Sequence, residues 1–133
     1  MPLRTKIAFL VCSAWFLGGP EASFAQCTQT LSVGANVASA VSSASNGATI
    51  CLNNGDYGSV NFTNISRSGF VTVQSTSGTG ARMQPQVNDS RFIRFRNMTL
   101  TDAVVGSCST NIEIWNSVFA PNDGGLVYNY GSS

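Results

Sequence analysis

The chain has 133 residues, with seven Lys and Arg against six Asp and Glu, no histidine and a formal net charge of +1. The missing imidazole excludes Ser-His-Asp and Cys-His nucleophiles and any His-bearing zinc site. Near-neutrality without a basic patch argues against nucleic acid and anionic membrane surfaces as partners.

Residues 1–25 place Arg4 and Lys6 before the apolar run 7–17, then Gly18, Gly19 and Pro20, then small residues at Ser23 and Ala25. This is the layout of a secretory signal peptide, with cleavage expected after Ala25; the apolar run is shorter than the ~20 residues that span a bilayer. The expected product, 26–133, is secreted or periplasmic and has no membrane partner. It is formally neutral, with five arginines against five acids. Of its three cysteines, an oxidising compartment pairs two and leaves one over. A bridge between Cys27 and Cys51 would staple the first strand to the mature N-terminus. Cys27 with Cys108 is the alternative. Cys108 otherwise serves as a small buried apolar residue or as a pairing site for a further segment.

A helix is expected over about 33–46. Val37, Ala40, Val41 and Ala44 make one apolar stripe, with Ser32 as N-cap and Asn46-Gly47 as the stop. Its small side chains suit a helix laid flat across the end of a sheet, where it would cap an unpaired edge.

From residue 48 onward the pattern changes to alternation with period 2. The phrase 92–100 recurs as 111–119 at an offset of 19 residues, and weaker copies start at Ile50 and Val71. The anchors Ile50, Val71, Ile93 and Ile112 are separated by 21, 22 and 19 residues. A strand unit every ~20 residues, with no room for a helix between copies, predicts a solenoid of parallel rungs, here about four. Two inward columns follow: Ile50, Val71, Ile93, Ile112 and then Leu52, Val73, Phe95, Ile114. Asn54, Ser75, Asn97 and Asn116 fall at the bends, where stacked amides could hydrogen-bond along the axis. Segment 76–81, with Gly78 and Gly80, reads as an inter-strand turn, and Pro85 as a residue between rungs.

The order of helix, small-residue turn, opener 48–58 and repeated rungs resembles the N-terminal part of right-handed parallel β-helix proteins of the pectate-lyase-like superfamily. The resemblance covers Cys27 to the end of the chain. It implies an all-β fold, a right-handed parallel β-helix with an N-terminal capping α-helix, in a single domain over 26–133.

The concentrated polar chemistry lies in two outward columns, Thr72/Arg94/Glu113 and Gln74/Arg96/Trp115. Arg94 is expected to pair with Glu113, and Arg96 to lie over Trp115 as a cation–π contact. Arg94, Arg96 and Trp115 would together suit a sugar chain, the indole stacking on a ring and the guanidinium groups gripping carboxylates. Such outward pairs are also ordinary sheet surface. The resemblance further implies β-elimination on a uronate by a basic side chain, with acids holding calcium. Here Asp56, Asp89, Asp102 and Asp123 fall at different rung phases, so no catalytic residue carries over. No metal and no cofactor is expected, and no carboxylate pair suits glycoside hydrolysis. The expected partners are a polysaccharide and, at an uncapped edge over 128–133, either the remaining rungs of a longer chain or another copy. The alternative function is a structural or adhesive module without chemistry of its own.

Overall fold

The computed structural model describes residues 26–106 and 108–120 and the strand Leu126–Val127. The expected leader at 1–25, Asp123 and the edge over 128–133 lie outside the described residues. Alternating apolar and polar side chains give strands with one buried face. In chain order these are β1 (Gln29–Leu31), then the helix α1 (Val37–Ser43), β2 (Thr49–Leu52), β3 (Gly55–Thr63), β4 (Val71–Ser75) and β5 (Ala81–Asn88). They continue as β6 (Arg91–Arg96), β7 (Thr99–Leu100), β8 (Ala103–Val105), β9 (Thr110–Trp115), β10 (Val118–Phe119) and β11 (Leu126–Val127).

The strands stack as a parallel β-solenoid of about four turns. One sheet runs β1, β2, β4, β6, β9, and the other runs β10, β7, β5, β8, β11 with β3 also paired to β5. From β2 onward each turn contributes a strand to the first sheet and then one strand, or two short ones, to the second. Phe62, Met83, Val87 and Leu100 from the second sheet meet Ile50, Val73, Ile93 and Phe95 from the first in a continuous core. Phe62 and Phe95 touch edge to face across it, with centroids 5.4 Å apart.

Register agrees with the expected columns from β4 onward: Val71 lies beside Ile93 and Ile93 beside Ile112, with Val73 beside Phe95 and Phe95 beside Ile114. The first rung differs. Ile50 stacks on Val73 and Leu52 on Ser75, two residues from the expected alignment. A slip of one residue would turn the apolar face to solvent, but a slip of two keeps every side chain on its side, so pattern alone does not choose between them.

The bends also differ from the expected amide ladder. Asn97 and Asn116 each take a left-handed conformation, φ 53° and 46°, at the step from the first sheet to the second. Asparagine tolerates this region where most residues do not. The side-chain nitrogen of Asn97 is buried without a hydrogen-bond partner, so its role is in the backbone. Stacked hydroxyls hold another corner. Ser90 Oγ accepts the Ile65 N–H at 3.1 Å and lies 2.8 Å from Asn88 O, while Ser109 Oγ accepts the Ser90 N–H at 3.3 Å.

Pro85 sits inside β5 rather than between rungs. The strand pairs with β7 through Arg82 and Met83 and with β8 through Gln86 and Val87, leaving a gap opposite Gln84 and Pro85. Across that gap Asp102 adopts φ 40°, so the ladder is already broken where the proline has no N–H to give.

The helix is shorter than expected. A turn closed by Ala35 N–H to Ser32 O at 3.0 Å uses Gly34 at φ 97°, and Asn36 rather than Ser32 is the N-cap, accepting the Ser39 N–H at 3.0 Å. Val37, Ala40 and Val41 are buried against the core. A residue not singled out in the sequence secures its other end. Arg67 donates to the carbonyls of Val41 and Ser42 at 3.1 and 3.2 Å, to that of Ala44, and to Asn46 Oδ1 at 3.2 Å. The last carbonyls of a helix are short of intrahelical donors, here with only Val41 O taking the Ala44 N–H at 3.3 Å, and a cation is favoured at that end. Arg67→Ala is expected to lower stability by about 2 kcal/mol, in the range for hydrogen bonds to a charged group, read as a shift of the urea midpoint. An unchanged midpoint would assign no stabilising role to the guanidinium.

Candidate functional site

The outward face of the first sheet collects the charged and aromatic side chains. β4, β6 and β9 run in register there, with Thr72 beside Arg94 and Arg94 beside Glu113 in one column, and Gln74 beside Arg96 and Arg96 beside Trp115 in the next, although Thr72 and Gln74 are themselves buried and not, as expected, open to solvent. The Arg94 Nε donates to Glu113 Oε2 at 2.7 Å, and both side chains are partly shielded from solvent.

The cation–π contact falls on a different arginine from the one expected. The Arg94 guanidinium carbon lies 4.3 Å from the Trp115 ring centroid and 4.4 Å from that of Phe70. Arg94 reaches Trp115 because diagonal neighbours on adjacent strands lie within range of long side chains. Arg96, although in register with Trp115, has a buried Nε with no hydrogen-bond partner. Phe70 in turn packs edge to face on Phe92, with centroids 5.2 Å apart. Guanidinium, carboxylate and three rings thus form one cluster.

Phe70 and Phe92 join the face although period-2 alternation alone does not assign them to it. The signal was present: Phe70 and Phe92 are 22 residues apart, the offset that separates Val71 from Ile93. Phe92 also has φ 65°, an unusual conformation for a bulky side chain, and Asn111 repeats it at 55° one rung on. The β6–β9 ladder passes from Arg91/Thr110 directly to Ile93/Ile112 at that point. Both strands therefore bulge together beside the cluster.

Electrostatically the cluster is partly compensated. Glu113 neutralises Arg94 at Nε, while among the described residues no protein group accepts from its terminal nitrogens. Trp115 is 45% exposed, so one ring face holds the guanidinium while much of the indole meets solvent. Such an arrangement can stack an apolar sugar face and donate hydrogen bonds beside it.

The acids are dispersed. Asp56 lies 3.8 Å from Arg82 at an exposed position, Asp89 and Asp102 occupy left-handed bends, and Glu113 belongs to Arg94. Among the described residues no group of three or more His, Cys, Asp or Glu side chains could hold a metal ion. Cys27 and Cys51 form a disulfide, and Cys108 is an exposed free thiol at φ 59°, not a buried apolar residue. Its left-handed turn carries the side chain outward.

Comparison with known proteins finds no family model, no curated protein and no solved structure that matches this chain.

Proposed function

We propose that the chain is an exported polysaccharide-binding module, the N-terminal portion of a right-handed parallel β-helix of pectate-lyase-like type, with α1 as its N-terminal cap. The observation that carries the proposal is the half-exposed Trp115 ring backed by the Arg94 guanidinium on the outward face of a parallel sheet. In this reading Trp115 stacks on a pyranose ring. The terminal nitrogens of Arg94, with Arg96 beside it, donate to hydroxyl or carboxylate oxygens of the sugar. Glu113, Phe70 and Phe92 hold the arginine in place. Binding is the activity proposed, and no residue is assigned a catalytic role.

A second reading is a structural or adhesive module. It is favoured by the engagement of Arg94 with Glu113 and both rings, which is also what a rigid sheet surface would use. Titration of the protein with polygalacturonate and with a neutral glucan separates the two. Binding to either polymer, weakened about tenfold by Trp115→Ala, corresponds to the loss of ~1.4 kcal/mol expected for one aromatic contact. No binding to either polymer would leave the structural reading.

A further inference from the structure

The solenoid end that carries α1 is covered unequally. In the first sheet β2 is covered by β1, an extended segment of the chain itself, paired at Gln29/Ile50, Thr30/Cys51 and Leu31/Leu52. In the second sheet β3 is paired to β5 alone, and among the described residues no strand lies on its other side. The element at that position is α1. Its seven residues extend ~10 Å against ~30 Å for the nine residues of β3.

The phase of the free edge is fixed by one bond. Asn64, just past the strand, donates its N–H to Asn88 O at 3.2 Å, so by the alternation of an extended strand Phe62 and Val60 direct their backbone groups to β5. Ser59, Asn61 and Thr63 direct theirs away, to the side on which no strand is paired among the described residues. The same segment lines a cavity of about 370 Å³ between β3 and the start of α1, with Ala35, Asn36, Ala38, Tyr57, Ser59 and Asn61 among its walls. No charged side chain lines it.

We infer that the free edge of β3 takes up an extended, uncharged peptide segment of a partner protein as an added strand. A row of unpaired N–H and C=O groups at strand spacing is recognised by another strand, and by little else. β1 already completes the first-sheet half of this outermost rung, and the peptide supplies the second-sheet half. The uncharged walls select a neutral segment with small or hydroxylic side chains. This surface is separate from the Arg94–Trp115 cluster and does not depend on the proposed binding of polysaccharide.

The test uses acetyl-(Thr-Ala) repeated three times with an amide end, and the same peptide N-methylated at alternate residues so that its edge donors are lost. Hydrogen exchange of single amides is followed by NMR. The unmodified peptide is expected to slow exchange at Ser59, Asn61 and Thr63 by about tenfold, the equivalent of one net hydrogen bond each, and to leave Val60 and Phe62 unchanged. The N-methylated peptide should have no effect. Asn61→Pro removes one edge donor without touching the β5 ladder, and should weaken the protection at Ser59 and Thr63. Absence of slowing at millimolar peptide, or equal slowing by the N-methylated peptide, overturns the inference. So does slowing of the same three amides with rising protein concentration alone, which would make the occupant a second copy.

Discussion

Phe95→Ala is expected to cost about 3–5 kcal/mol, the range for removing a large aromatic side chain from a packed core. Phe95 is fully buried, stacked between Val73 and Ile114 along the axis and touching Phe62 across it. Its removal opens a void that spans both sheets, and parallel rungs cannot close it without moving their neighbours in register. Ile114, on the last described rung of the first sheet, is only half-buried and supplies little compensating cover. A domain of this size has a total stability of about 5–15 kcal/mol, so the variant should stand near its unfolding threshold. The measurement is the urea midpoint at unchanged slope. A loss below about 1 kcal/mol would mean that the core here is not closely packed.

The second large effect is expected at the disulfide. Cys27 and Cys51 are 24 residues apart, and closing a loop of that length restricts the unfolded chain by about 3 kcal/mol. Otherwise the segment is held by the three-residue ladder of β1 on β2 and by a few bonds at its ends. Gln29 and Thr30 are exposed and Leu31 is half-buried, while the backbone bonds are few, among them Thr28 N–H to Thr49 O at 2.8 Å and Asn53 N–H to Leu31 O at 2.9 Å. Tyr57 adds its hydroxyl, 3.1 Å from Leu31 O, and its burial pushes the phenol's ionisation upward. The double variant Cys27→Ser, Cys51→Ser should therefore melt well below the parent, and the parent treated with a dithiol reductant should match it. Equal melting of oxidised and reduced protein would show that the loop is restrained without the bond.

What the sequence made legible was whatever repeats with period 2. The columns from Val71 through Ile93 to Ile112 could be read because a single-residue slip would expose them, and the Arg94–Glu113 pair followed from the same 19-residue offset. The first rung could not be placed as securely, since a two-residue slip leaves the pattern of Ile50 and Leu52 intact. Features that depend on reach were hidden. Arg67 meets the helix end from 21 to 26 residues away, and Arg94 chooses Trp115 diagonally over its own register partner. The helix start was misplaced because a serine and an asparagine four positions apart both suit an N-cap, and only the turn at Gly34 decides between them. Of the candidate site, Arg94 and Trp115 were found from alternation. Phe70 was missed because it lies one residue before the strand that positions it.

The placement of Trp115 gives the protein a built-in optical reporter. The sequence holds two tryptophans, Trp15 and Trp115, so a product beginning at residue 26 emits from a single indole. That indole is on the last described strand of the first sheet, against a guanidinium and open to water. Its emission therefore follows events at that end of the stack alone, while far-ultraviolet circular dichroism averages over every rung. Recording both during one denaturation separates fraying of the terminal turn from collapse of the whole.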